Sequence, residues 1–231
     1  MDDELLDAAT QLQLAAPTVK DGKAFEALVL FKLALELQTR GCLVEARDHA
    51  GAVTSSFVLR EGPGLIPPPT VKGPAPSYFV VDDAVKTLEL HNSVRFRGVS
   101  DADHEIDVSA AHSAHIDEVR ESGGGAPTKP LLGVELKRNL ETVELDKNVL
   151  RAMLGWIVDV VPTWMLRFVV LRPGIAMGYS QTPRFWFLTT GKLSGPAKDF
   201  AQKYEIAVED KHQVADLAVH ISAMADHLEA L

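Results

Sequence analysis

Two short stretches carry residues able to do chemistry together. In His104-Glu105-Ile106-Asp107-Val108-Ser109-Ala110 polar and apolar residues alternate, the period of a strand with two unlike faces. Ile106, Val108 and Ala110 then share a core face, and Glu105, Asp107 and Ser109 share the other. In Leu132-Gly133-Val134-Glu135-Leu136-Lys137 the same period puts Val134 and Leu136 on one side and Glu135 and Lys137 together on the other. If the two strands are neighbours, Asp107, Glu135 and Lys137 converge on one patch. Two carboxylates hold a hard divalent cation, Mg²⁺ or Mn²⁺, through oxygen, and the carbonyl of Leu136 offers a third ligand. Such a cation lowers the pKa of a bound water and polarises a phosphate. A lysine beside it orients the water and offsets developing negative charge. Phosphodiester hydrolysis is the chemistry that calls for this set.

An acid-x-Lys triplet alone says little, and the chain has three: Asp21-Gly22-Lys23, Glu135-Leu136-Lys137 and Glu209-Asp210-Lys211. The first and last lie in polar stretches beside helices and read as solvated surface. Only the middle one sits inside an apolar strand that follows a second strand bearing an acid. Glu26 adds to the pattern. On the helix expected over Lys23–Arg40 it falls in line with Leu30, Leu33 and Leu37, an apolar stripe. An acid there needs a partner or a metal, or else lies at the stripe's edge near the helix N-terminus, where the dipole favours it.

Basic residues flank the stretches: Arg95, Arg97, Lys129, Arg138, Lys147 and Arg151. Each reads as a phosphate contact or as a solvated surface charge. Arg138 and Lys147 are the stronger candidates because they follow the Glu135–Lys137 strand, and Arg95 and Arg97 come next. Asp101, Asp103 and His104 read as a polar turn, or as a further ligand or base. His112 and His115 stand three apart, and a zinc hydrolase built on them is a third class of reading. It lacks cysteine partners and an HExxH pattern.

The elements that must position these groups follow from periodicity and punctuation. Residues 1–18 read as a short helix and connector, and Lys23–Arg40 as a long helix stopped at Gly41. Cys42–His49 and Ser55–Arg60 read as strands joined by a turn at Ala50-Gly51. Glu61–Pro76, with six prolines and three glycines, is an extended excursion. Tyr78–Val81, Lys86–Arg97, His104–Ala110 and Leu131–Lys137 read as strands, with a glycine-rich loop over Ser122–Pro130. Leu145–Val160 reads as a helix and Trp164–Leu171 as a central apolar strand. Ala176–Thr190 reads as a further hairpin, and Pro196–Tyr204 and Gln213–Leu231 as helices. Trp156, Trp164 and Trp186 sit in apolar context and read as core. The stripe Val214, Leu217, Ile221, Met224 and Leu228 packs on the sheet or pairs with a second copy. The order predicts an α/β fold: a central mixed sheet flanked by helices, with C-terminal helices, in one domain of 231 residues.

Composition is ordinary for a globular chain, with 46% hydrophobic and 24% charged residues, so disorder as the dominant state is excluded. A single cysteine, Cys42, allows no internal disulfide and suits a reducing compartment. Met1-Asp2-Asp3-Glu4 is no secretory leader, and no apolar run is long enough to span a membrane. The expectation is a cytoplasmic protein. A net charge of −9 argues against a surface coated in phosphate-binding groups, though not against a local basic cleft.

The arrangement resembles the PD-(D/E)XK, restriction-endonuclease-like nuclease superfamily. There a helix with a glutamate precedes a mixed sheet, one strand brings an aspartate, and the next brings an acid-x-lysine followed by a helix. Glu26 matches the helix glutamate, Asp107 in His-Glu-Ile-Asp-Val the aspartate, and Glu135 and Lys137 in Gly-Val-Glu-Leu-Lys the acid and the lysine. The resemblance covers roughly residues 23–171 and leaves 172–231 as a C-terminal extension. Ile106, not proline, precedes Asp107, and the interval from Asp107 to Glu135 is long. The resemblance implies a restriction-endonuclease-like core and an Mg²⁺- or Mn²⁺-dependent endonuclease acting on DNA, with RNA an open alternative, and family analogy points to a setting in restriction or anti-phage defence. A homodimer would suit cleavage of both strands. The competing reading is a catalytically silent module of the same fold that binds nucleic acid or a partner protein.

Overall fold

The computed structural model describes residues 2–15, 17–19, 23–72, 75–123, 129–138, 142, 144–167, 183–210 and 214–231. Among them a seven-stranded mixed sheet forms the centre. Its strands are β1 (Leu43–Arg47), β2 (Tyr78–Asp82), β3 (Thr87–Arg97), β4 (Asp103–His112), β5 (Leu132–Lys137), β7 (Arg184–Thr189) and β9 (Ala207–Glu209), side by side in that order. Pairing is antiparallel from β1 through β5 and parallel from β5 to β7 and from β7 to β9. A two-stranded parallel pair, β6 (Glu144–Leu145) with β8 (Lys192–Leu193), stands apart from it.

Helices cover both faces, each with its own hydrophobic core. On one face lie α1 (Asp2–Gln11), α2 (Ala24–Thr39) and α6 (Val214–Glu229). The sequence of α2 is apolar almost all round, and its buried residues run from Phe25 through Leu37, because sheet, α1 and α6 surround it. Leu132, Val134 and Leu136 of β5 and Leu188 of β7 meet it from the sheet. On the other face lie α3 (Ser113–Glu121), α4 (Lys147–Val160) and α5 (Gly195–Lys203), packed on Phe185 and Phe187. Asp146 caps α4 by accepting the Asn148 N–H at 2.8 Å, and Ser194 caps α5.

The α/β class, the mixed sheet and the C-terminal helices match the expectation, and several local expectations need correction. Trp164–Leu171 is not a central strand as far as it is described: residues 162–167 form a 3₁₀ turn, with Trp164 buried edge-on against Phe185 at 5.0 Å. Phe168–Leu171 lie outside the described residues. The strand beside β5 is instead β7, so the C-terminal third completes the sheet instead of extending a core that closes near residue 171. Of the hairpin expected over Ala176–Thr190, only β7 is described. Ser55–Arg60 forms no strand, although a short hairpin bridge joins Arg47 to Val53. Helix α3 was not anticipated. Leu217, Ile221, Met224 and Leu228 are buried within the chain's own core, so that stripe is occupied without a second copy. All three tryptophans are core residues. No helix among the described residues is long and apolar enough to cross a membrane.

Candidate active site

Strands β4 and β5 are paired from Ala110–Leu132 to Val108–Val134 and then part. Asp107 sits where they separate. Its Oδ2 accepts the Leu136 N–H at 2.7 Å, so the side chain takes the place of a ladder carbonyl and is fixed against β5. Glu135 and Lys137 project together, as their spacing predicts, with Glu135 Oε1 2.5 Å from Lys137 Nζ. Ile106 departs from the alternation. Val108 and Ala110 join the α2 core, whereas Ile106 joins the α4 core with Val94 and Phe96.

The cause of that departure lies on β3. Asn92 pairs with Val108 and Val94 with Ile106, so Ser93 stands opposite Asp107 without pairing to it. Its φ is +48°, a left-handed conformation unusual for serine. The turned backbone sends the Ser93 hydroxyl to Glu26 Oε2 at 2.6 Å. Lys23 Nζ, one residue before α2, donates to Glu26 Oε1 at 2.6 Å and to Ser93 Oγ at 2.8 Å, and lies 3.7 Å from Glu105. Glu26 is therefore buried with partners and is not a free edge residue. Strain at a buried polar residue that touches two charged groups is the kind kept at functional sites.

Charge in this cluster is unbalanced. Among the described residues, Glu26, Glu105, Asp107 and Glu135 face Lys23 and Lys137 alone. Burial, then Glu135 and Glu26, push the Asp107 carboxyl up to about 7 against the Leu136 N–H and Lys137. Burial also pushes Glu135 up, against the pull of Lys137. Lys137 is held above the ordinary lysine range: burial works against its charge, but Glu135 and Asp107 outweigh it. With all four carboxylates ionised the excess is two negative charges, which a divalent cation would balance, and hard carboxylate oxygens suit Mg²⁺ or Mn²⁺. Among the described residues no group of three or more His, Cys, Asp or Glu is arranged to hold a metal ion. Asp107 and Glu135, with the Leu136 carbonyl, are the oxygens that would hold such an ion. At Leu136 the contact seen is through the amide.

The flanking basic residues are spread out. Arg95, Arg138 and Lys147 are exposed, and Arg97 pairs with Asp103 across the hairpin at 3.2 Å. Lys129 is exposed, and Arg151 donates to Asn148 on its own helix. His104 is bound to Asp159 of α4 at 2.6 Å, together with Ser100, which assigns it to clamping the β3–β4 hairpin. Gly98 makes that clamp possible, since a Cβ there would lie 1.9 Å from Asp159 Oδ2. The rings of His112 and His115 stand perpendicular with centroids 5.7 Å apart, a packing arrangement that gives the zinc reading no support.

A second buried charge cluster lies on the part of the sheet flanked by α3. Arg120 forms a two-armed pair with Glu89, through Nη1 at 2.8 Å and Nη2, and its Nη1 also meets Asp117 at 2.8 Å. His91 Nε2 bonds Glu89 at 2.9 Å, and the Arg120 guanidinium lies 4.5 Å from the centre of the Tyr78 ring. Here each buried charge has a partner.

Sequence reasoning missed Lys23, Ser93 and Arg60. Lys23 was read as solvated surface, yet its ammonium joins helix to sheet. The visible signal for Ser93 is the polar run His91-Asn92-Ser93, which breaks the alternation of β3.

No family model matches the chain, and no curated protein matches it. It is similar to a crystal structure described as a protein of unknown function, AF1548, at 15% identity and a TM-score of 0.36. The alignment covers 60% of this chain and 58% of that one. That likeness carries no statement about activity.

Proposed function

We propose that this chain is a cytoplasmic, Mg²⁺- or Mn²⁺-dependent endonuclease that hydrolyses phosphodiester bonds of DNA, with Asp107, Glu135, Lys137 and Glu26 as its working residues. One observation carries the reading: a charge-unbalanced carboxylate cluster, with Glu26 and Asp107 buried, beside Lys137. Such clusters cost stability, and perturbed titration of this kind concentrates at functional sites. Asp107 and Glu135 would hold the cation, which supplies a water of lowered pKa and neutralises phosphate charge. Lys137, fixed by Glu135, would donate to a non-bridging phosphate oxygen and stabilise charge as the transition state forms. Lys23 and Ser93 would keep Glu26 aimed at the cluster. Arg138 and Lys147, exposed after β5 and at the start of α4, would take backbone phosphates.

The second reading, a silent module that binds nucleic acid or a protein, is favoured by one detail. Oxygens of both Asp107 and Glu135 are already engaged by donors of the protein itself. The deciding experiment incubates purified protein with plasmid DNA, single-stranded DNA and RNA, each with Mg²⁺, Mn²⁺ or EDTA. Metal-dependent cutting lost in Lys137→Ala and in Asp107→Ala supports the enzyme. Cutting indifferent to both variants refutes the assignment, and no cutting of any substrate favours the silent module.

A further inference from the structure

Arg60 is a half-buried guanidinium with no carboxylate among the described residues within ion-pair distance. Its backbone is fixed next to the site. The Arg60 N–H donates to Asn92 Oδ1 at 3.2 Å, and Asn92 Nδ2 donates back to the Arg60 carbonyl at 3.1 Å. Four residues on, the Gly64 N–H donates to the Ser93 carbonyl and its carbonyl accepts the Arg95 N–H. The segment from Arg60 to Gly64 is thus tied to β3 on both sides of the strained Ser93. The guanidinium folds over it. Nη1 donates to the Leu65 carbonyl at 3.1 Å, and Nε is shut away from water with no acceptor. Gly64 leaves the space, because a Cβ there would lie 2.7 Å from Nη1.

Arg120 and Arg40, by contrast, are each surrounded by carboxylates. A cation removed from water without a counter-charge is costly, and burial lowers Arg60 to about 10. Arg60 lines a cavity of about 230 Å³ with Thr18, Ser56, Glu61 and Lys23. Lys23 is the residue that binds Glu26 and Ser93, so the cavity adjoins the carboxylate cluster. Two of its three ammonium hydrogens are used at short range, and the third faces Glu105 at 3.7 Å, a looser contact that an anion could replace. The space is smaller than the roughly 300–1,000 Å³ typical of drug-sized ligand sites, which suits a phosphate group and not a whole nucleotide.

We infer that this cavity is an anion subsite in which Arg60 and Lys23 take a backbone phosphate next to the one at the carboxylate cluster. The inference rests on the nuclease reading and adds to it a residue outside the resemblance's motifs. It assigns the segment 56–61 a role, as the wall that presents Arg60 to the nucleic acid strand.

The test is binding of a fluorescent single- or double-stranded oligonucleotide, followed by anisotropy in EDTA from low to moderate salt, so that binding is read apart from cleavage. Arg60→Gln should weaken binding about tenfold at low salt and reduce the slope of log affinity against log salt by about one. Arg60→Lys should recover part of the slope. Gly64→Ala, which displaces the guanidinium but keeps it, should weaken binding less than Arg60→Gln. Thermal unfolding of Arg60→Gln should occur at or above the wild-type midpoint, since an uncompensated cation is gone. Equal affinity and slope for wild type and Arg60→Gln would overturn the subsite while leaving the nuclease reading to its own assay. A lower midpoint with an unchanged slope would assign Arg60 to structure and also overturn it. Wild-type protein that binds neither oligonucleotide at any salt would overturn the subsite and leave the nuclease reading to its own metal-dependent assay.

Discussion

The sheet buries charge in two places, and they are solved differently. Around Glu89, a guanidinium and an imidazole meet the carboxylate, and Tyr78 stacks on the imidazole. Burial pushes Glu89 up, but His91 and Arg120 pull it further down, so it is held below the ordinary carboxylate range. Around Asp107, burial and two neighbouring acids push the same way, and the group rises to about 7. Both carboxylates are almost fully buried. What separates them is the company: one cluster is complete without a ligand, and the other would be completed by a cation. Complete clusters hold structure together, and incomplete ones mark where selection for function has overridden stability.

The sharpest way to break this contrast is to delete one charge from each cluster. Lys137→Ala should lower cleavage by about 10³ or more, while leaving the melting temperature close to wild type, as circular dichroism can check. Arg120→Ala should do the reverse, costing about 3–5 kcal/mol in chemical denaturation because Glu89 is left buried and unpaired. An Arg120→Ala protein of normal stability would mean that the Glu89 cluster is not the structural one.

Titration separates the two next. Asp107 has a folded value above its ordinary one, so the folded state holds the extra proton. Its contribution to stability is complete below about pH 4 and is lost as pH rises through about 7. Glu89 is depressed, so its contribution is present above the ordinary carboxylate value and lost as pH falls through the lower one. Cation-free protein should therefore weaken toward neutral pH by up to about 4 kcal/mol, and Asp107→Asn should flatten that limb alone. Urea unfolding in EDTA from pH 4 to 8 reads the Asp107 limb, and the Glu89 limb lies at lower pH. A limb that persists in Asp107→Asn assigns it to another group.

The smallest effects are expected at the periphery. Arg138→Ala and Lys147→Ala should each reduce the salt slope of DNA binding by about one, with stability within about 0.5 kcal/mol of wild type. Slopes unchanged in both would place the nucleic acid elsewhere on the surface.

Much of the cluster was legible because a strand has period two. That period placed Glu135 beside Lys137 and set Asp107 on a separate strand, and β4 and β5, consecutive in the sheet, did pair. The contribution of Lys23 was hidden because it bonds Ser93 across 70 residues, and that bond depends on a left-handed serine that no pattern announces. Arg60 was read as the end of a strand because Ser55–Arg60 alternates weakly, yet its partners are the side chain and backbone around Asn92 instead of a ladder. The neighbour of β5 was misplaced for a plainer reason. Trp164 and the Phe185–Leu188 run are both short apolar stretches, and only Pro162, which favours a turn over a strand, hinted which one would leave the sheet.

The most direct test of the central claim is calorimetric titration of Mn²⁺ into the protein at pH 7.5, repeated in two buffers of different ionisation enthalpy. One bound ion per chain, with proton release, lost in Asp107→Asn and weakened in Glu135→Gln, is the result this account requires. No binding by the wild type, or binding untouched by both substitutions, would contradict it.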